Sequence, residues 1–112
     1  MQDYKGYTSE LSKYMKELRE LQPEGMAGFS AMANGAKKDN ALDKKAKEFV
    51  ALGIGVATRC DGCIGFHVKE LIDLGATKEE ISEVLIMAVY MGGGPSLMYA
   101  AHALKAYQDY SK

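Results

Sequence analysis

Apolar positions recur with a helical period through most of the chain. From Thr8 or Ser9 onward, Leu11, Tyr14, Met15, Leu18 and Leu21 follow the i, i+3, i+4, i+7, i+10 spacing of one helix face. Pro23 stops that helix and fits the first turn of the next. Met26, Phe29, Met32 and Ala33 carry a second, weaker stripe, which Asn34-Gly35 ends. Residues 36–42 read as a polar connection and residues 1–7 as a frayed arm. Asp43 is expected to cap a third helix. The second half of that helix, Phe49 to Ala57, is apolar all round and predicts burial between neighbours. One of its faces carries Phe49, Val50, Gly53, Ile54 and Ala57; the other opens with Glu48 and carries Ala51, Leu52 and Gly55. Gly53 and Gly55 each cost about 1 kcal/mol of helix propensity, which close approach of another backbone would offset. A fourth helix spans roughly 60–74 and ends at Gly75. Thr77-Lys78-Glu79-Glu80 is a capping box that opens a fifth, bearing Ile81, Val84, Leu85, Ala88 and Met91. Gly92-Gly93-Gly94-Pro95 breaks it, and an alanine-rich sixth helix runs to about Tyr110. Strand alternation and internal repeats are not found. The pattern predicts an all-α fold, a compact bundle of about six helices.

Composition narrows the function classes. The chain has 112 residues, 47% of them hydrophobic and 26% charged, with a net charge of −1. That is an ordinary globular composition and the length of one domain, here residues 1–112. Lys44, Lys45 and Lys47 are interleaved with acids and read as a solvated helix face, so nucleic acid is not an expected partner. No apolar run approaches the ~20 residues that span a bilayer. The opening Met-Gln-Asp-Tyr-Lys is polar and has no apolar signal core. The expectation is a cytoplasmic protein with no membrane partner. In that reducing compartment a cysteine pair is more often catalytic or metal-binding than a staple.

Both cysteines and one of the two histidines fall in Cys60-Asp-Gly-Cys63-Ile-Gly-Phe-His67. On a helix, Cys60, Cys63 and His67 share the face of Ile64 and Leu71, the face expected to be buried. Three readings compete. The cysteines are small buried hydrophobes. They are zinc ligands with His67, in which case Glu48 is the best fourth ligand. Or they are a redox-active dithiol, and this reading is favoured. Covalent haem attachment needs His directly after the second Cys, where Ile64 stands. A thioredoxin-type fold lacks its βαβ context here. A redox dithiol needs a thiolate, so it needs a base. His67, one turn past Cys63, is placed to take the thiol proton directly or through one water. The positive end of the helix dipole favours an anion at Cys60. Peroxide attack would give a sulfenic acid, which the second cysteine resolves to a disulfide. Glu48 is a candidate to orient the imidazole, and its bland alternative is a surface partner for Lys44 one turn earlier. No cofactor or resident metal beyond the dithiol is expected. His102, the other imidazole, either approaches the site from the last helix or has a packing or surface role, and the packing or surface role is favoured. The seven methionines and Phe29, Phe49 and Phe66 read as core. Tyr4, Tyr7, Tyr14, Tyr107 and Tyr110 cluster at the chain ends, where they either cover the core or form a subunit interface; the interface is favoured. The apolar helix 49–57 in so small a chain also points to burial by a neighbouring subunit.

Glu48, eleven residues, Cys60-x-x-Cys63, three residues, His67 resembles the signature of the alkyl hydroperoxidase D-like (AhpD-like) branch of the carboxymuconolactone decarboxylase family. Gly75-Ala-Thr-Lys-Glu-Glu-Ile-Ser-Glu83 and the Gly92–Pro95 break resemble the same family, so the likeness runs roughly from Ala41 to Tyr107. The resemblance implies an all-helical domain that assembles into homo-oligomers, trimers or hexamers. It implies a thiol-dependent peroxidase or disulfide reductase that acts on hydroperoxides and is recycled by a thiol reductant, protein or small molecule. By position it makes Cys63 the peroxide-attacking thiol, Cys60 the resolving and partner-exchanging thiol, and Glu48 with His67 the proton relay. The best-known members carry histidine directly before the second cysteine, where this chain has Gly62. The decarboxylase branch lacks the cysteine pair, which argues against its lactone chemistry here and leaves a non-redox enzyme of that type as the alternative activity. An interaction module with inert or metal-bound cysteines is the alternative outside catalysis.

Overall fold

Six helices form, and no strand: α1 (Tyr4–Leu21), α2 (Pro23–Ala36), α3 (Lys44–Ala57), α4 (Asp61–Asp73), α5 (Lys78–Gly92) and α6 (Gly94–Tyr110). The structure, a computed structural model, describes all 112 residues. The caps fall where the sequence places them. The Asp43 carboxylate accepts from the Ala46 N–H at 2.7 Å. Thr77 and Glu80 satisfy each other's backbone N–H groups at the start of α5. Pro23 opens α2, and Pro95 lies in the first turn of α6.

The core lies between α3, α4, α5 and α6, with the first half of α1 laid over it. Leu52, Val56, Ile64, Val68, Leu71 and Ile81 are fully buried. Each such side chain is worth roughly 1.5–3 kcal/mol relative to exposure. Two glycines set the approach of α4 to its neighbours. A Cβ on Gly55 would stand 3.1 Å from the Cys63 Cβ and 3.7 Å from the Ile64 backbone nitrogen, so α3 and α4 touch where the sequence anticipates. A Cβ on Gly65 would stand 2.6 Å from the Thr8 side chain and 3.2 Å from Tyr4, and its absence lets α1 lie on α4. Gly53, by contrast, meets only the Val84 side chain at ordinary distance.

The N-terminus corrects the sequence reading. Residues 4–7 are helical rather than frayed, and Tyr4 is buried. Asp3 caps the helix through the N–H groups of Lys5 and Gly6. The Tyr4 N–H donates to Asp109 Oδ2 at 2.9 Å, and Lys105 Nζ donates to Asp109 Oδ1 at 2.5 Å. The Thr8 hydroxyl donates to the Tyr4 carbonyl, and the Tyr110 hydroxyl, which lies against both, gives its one proton to Thr8 Oγ1 or to that carbonyl. Tyr4, Tyr7, Tyr107 and Tyr110 thus cover the core of their own chain, and of the terminal tyrosines singled out only Tyr14 points outward.

The Asp109 clasp makes the N-terminus acid-sensitive. The Lys105 ammonium, then the Tyr4 N–H, hold the Asp109 carboxyl below its ordinary value of 3.8. A depressed folded-state pKa contributes stability in full above the unfolded value and loses it as pH falls through the folded one. The first turn of α1 is therefore expected to lose amide-exchange protection below pH 3.8. Full protection of the Tyr4 amide at about pH 2 would contradict this.

Much of the apolar surface expected in the core faces solvent instead. Tyr14, Met15, Leu18 and Leu21 of α1 and Phe29 and Met32 of α2 are exposed, and α2 touches no helix but α1. None of the seven methionines is buried; Met87, Met91 and Met98 stand in solvent. On α3 the face opened by Glu48 is the buried one, while Val50 and Ile54 are exposed. Those two line an apolar groove with Gly53, Val84, Met87 and Met91.

Candidate active site

The site is built at the turn from α3 to α4. Thr58 ends α3, and Arg59 follows in the left-handed region with φ 58°. The Arg59 N–H donates to the Val56 carbonyl and the Cys60 N–H to the Gly55 carbonyl, the pair of bonds that closes a Schellman motif. The left-handed position is usually glycine, so its sequence signal is missing here. Cys60 then reverses role and caps α4, its Sγ accepting from the Cys63 N–H at 3.2 Å. The two cysteines lie with Cα atoms 5.2 Å apart and their sulfurs within disulfide-bonding distance. Both are half-buried rather than fully buried.

His67 stands one turn beyond Cys63 on α4. Its Nδ1–H donates to Glu48 Oε2 at 2.5 Å. Glu48 is only 2% exposed, and no other hydrogen-bond partner reaches its side chain. A carboxylate there is an acceptor, so it holds the Nδ1–H tautomer and leaves Nε2 free to accept a proton. Lys44, the surface partner considered for Glu48, pairs with Glu70 at 3.3 Å instead. A pocket of about 320 Å³ opens beside this pair, walled by Met15 and Phe66 and edged by Arg19 and Lys69. A larger hollow of about 560 Å³ between Met1 and α6 contains neither cysteine nor histidine, and no chemistry is assigned to it. Gly62, the position of the missing histidine, is covered by Leu11 of α1.

A second polar cluster was not legible from the sequence. Asp61, the residue after Cys60, accepts at Oδ1 from the Tyr4 hydroxyl at 2.7 Å and from His102 Nδ1–H at 2.8 Å. His102 is thus bonded beside the dithiol and is not simply a packing or surface residue. Burial first, and the bond to Asp61 second, push the Tyr4 phenol well above its ordinary 10.0, so Tyr4 stays neutral. The available signal was an ionisable residue inside the cysteine spacer together with the chain's only other imidazole. Nothing in the sequence marks Tyr4 as their neighbour.

An all-helical scaffold that presents a vicinal cysteine pair at a helix N-terminus, with a buried carboxylate–imidazole pair one turn on, defines a class of small helical dithiol proteins. The model of the carboxymuconolactone decarboxylase family matches residues 23–106, and the chain belongs to that family. It is similar to the crystal structure of the apo form of a carboxymuconolactone decarboxylase family protein from Legionella pneumophila, with 51% identity, a TM-score of 0.96 and full coverage of both chains. A family member from Thermotoga maritima, for which a part in the antioxidative response is given as a possibility, is 25% identical. It has a TM-score of 0.85 over 94% of this chain and 90% of that one. An uncharacterised protein of Cupriavidus necator is 36% identical over 107 residues, covering 96% of this chain and 94% of its own.

Proposed function

We propose that the chain is a thiol-dependent peroxidase or disulfide reductase working through the Cys60/Cys63 dithiol. The observation that carries the reading is the buried Glu48 carboxylate on His67, one turn from Cys63. A buried carboxylate is costly unless it serves a partner, and a carboxylate-fixed imidazole beside a thiol is the arrangement that makes a thiolate at neutral pH. His67 Nε2 takes the Cys63 proton. The Cys63 thiolate attacks the terminal oxygen of a hydroperoxide, the O–O bond breaks, and the alcohol leaves with a proton returned by His67. Cys60 then attacks the sulfur of the Cys63 sulfenic acid; the disulfide forms and water leaves. Two thiols of a reductant, protein or small molecule, restore the dithiol by exchange. Such a cycle suits a reducing compartment such as the cytosol. Membership of the family and a possible antioxidative part for one similar protein are compatible with this reading.

The test is steady-state consumption of an organic hydroperoxide by the reduced chain with dithiothreitol as recycling thiol. Turnover that needs both protein and dithiothreitol supports the proposal. Its absence, with stoichiometric zinc in the purified chain and loss of helicity on chelation, would favour the metal-bound interaction module. Conversion of a lactone substrate after both thiols are lost would favour the decarboxylase-type enzyme.

We propose further that the chain works as a homo-oligomer, a trimer or a hexamer. The exposed stripe of α1 and α2 and the apolar α3/α5 groove support this, since a lone chain would leave both in water. Sedimentation at micromolar concentration should give a multiple of 12.2 kDa. A single 12.2 kDa species would sink this part of the proposal.

A further inference from the structure

We propose that Asp61 and His102 form a second charge pair that sets the acidity of the Cys60 thiol, as Glu48 and His67 serve Cys63. The inference rests on the dithiol reading above. Asp61 follows Cys60 directly and occupies the first position of α4. Its Oδ1 accepts from both the Tyr4 hydroxyl and His102 Nδ1–H, so one carboxylate oxygen carries the whole cluster. The side chains of Asp61 and His102 are 23% and 30% exposed, enough to exchange protons with water and buried enough to feel each other.

Cys60 must carry negative charge twice in the proposed cycle. When the disulfide forms, the Cys60 thiolate attacks the Cys63 sulfenic sulfur. The S–S bond forms, the S–O bond breaks, and the departing hydroxide takes a proton to become water. When a dithiol reductant restores the enzyme, its first thiolate attacks Cys60 Sγ and the S–S electron pair passes to Cys63, which takes a proton from His67. The reductant's second thiolate then closes the reductant's own disulfide, and Cys60 leaves as a thiolate. A bare carboxylate one residue away opposes that anion, because like charges in a shared site raise the acid's pKa. The dipole of α4 works the other way. The net charge beside Cys60 is therefore decided by whether His102 is protonated.

The surroundings leave that decision to the pair. Tyr4, from α1, is neutral and donates its hydroxyl proton to Asp61. On α6, Lys105 and Asp109 lie one and two turns beyond His102 and bond each other. Tyr99 lies against the imidazole, with ring centroids 4.8 Å apart, and contributes no charge. Arg59, just before Cys60, forms no ion pair, and neither α3 nor α5 supplies a charged group bonded to Asp61 or His102. Protonated His102 cancels Asp61 and favours the Cys60 thiolate; neutral His102 leaves the carboxylate's charge standing. By linkage the effect is reciprocal, and a thiolate at Cys60 must favour the protonated imidazole. In this reading His102 is a positioning residue for charge and does not touch the substrate.

The experiment has two arms, and neither uses a hydroperoxide, so its outcome is separable from failure of the peroxidase reading. In a Cys63→Ser chain, the alkylation rate of Cys60 is followed against pH. Asp61→Asn should move the midpoint down and His102→Gln should move it up, each by about one pH unit or a tenfold change in rate at fixed pH. A purely structural role for the cluster gives no reason for opposite signs. In the unsubstituted full chain, the His102 imidazole is titrated by NMR with the cysteines oxidised and then reduced. Its midpoint should be higher in the reduced chain over the pH range where Cys60 ionises. Equal Cys60 midpoints in all three chains would overturn the proposal. So would a His102 midpoint indifferent to the redox state, and this second arm decides if Asp61→Asn fails to fold.

Discussion

Replacing Cys63 with serine is expected to reduce hydroperoxide turnover to the level of buffer and reductant alone. A serine hydroxyl is not ionised at neutral pH and cannot form a sulfenic acid or a disulfide, so the chemical step is lost rather than slowed. The fold should survive. Cys63 is half-buried in the first turn of α4, its Cβ lies against Gly55, and serine preserves that Cβ. The N-cap also survives, since the bond at the start of α4 uses the Cys60 sulfur and the residue 63 backbone N–H. The matching Cys60→Ser chain should behave differently. It keeps the thiol beside His67, so one equivalent of hydroperoxide should leave a sulfenic acid at Cys63, detectable by mass. The comparison settles the order of the two thiols, which geometry favours through the His67–Cys63 spacing of one turn. A Cys63→Ser chain with wild-type turnover would remove the dithiol from the mechanism.

Glu48→Gln is expected to produce the next largest loss, a fall of roughly a hundredfold or more in the rate of thiolate formation, the usual scale of lost acid–base assistance. The size and shape of the side chain are retained, so the buried slot is still filled. What changes is charge. In the proposed mechanism the carboxylate stabilises the imidazolium formed when His67 takes the Cys63 proton, and its bond to Nδ1 keeps Nε2 free. An amide accepts Nδ1–H without that charge, and it can also turn its NH₂ toward the ring and select the wrong tautomer. Alkylation of the reduced chain near neutral pH reads the effect without any peroxide. Glu48→Gln alkylated at the wild-type rate would make the Glu48–His67 contact structural only. The hundredfold loss should be partly recovered at high pH, where solvent hydroxide deprotonates the thiol, and a structural collapse would show no such recovery.

Much of this site was legible because its residues lie close in sequence. Cys60, Cys63 and His67 sit on or beside one helix, so spacing alone puts them together. Glu48 was half legible: its place at the head of an apolar stripe marked it, but Lys44 one turn earlier offered an ordinary surface explanation. Only the structure shows Lys44 turned to Glu70 and Glu48 buried. The caps of α3 and α5 and the proline starts of α2 and α6 were readable because backbone donors must be satisfied locally. The first turn of α1 was missed because its anchors come from the far end of the chain. Asp109 and Tyr110 are more than one hundred residues from Tyr4, and no local period records them. The end of α3 at Ala57 was legible, although the left-handed position behind it, Arg59, carries a side chain where glycine is usual. The apolar period of α1 and α2 is as the sequence shows it, but Met15, Phe29 and Met32 in those stripes face solvent rather than the core. Periodicity shows that a face is apolar, not which surface covers it. The Asp61–His102 bond joins α4 to α6 across 41 positions and was beyond any local pattern.

The most direct test of the redox centre is a thiol count on the reduced chain before and after one equivalent of an organic hydroperoxide, with the product mapped by mass spectrometry. The account predicts rapid loss of two thiols and a Cys60–Cys63 disulfide, with the hydroperoxide recovered as the alcohol. Two thiols still free after the hydroperoxide has been left with the chain would contradict it, and the likeness to the family would then speak for fold and ancestry rather than for redox chemistry.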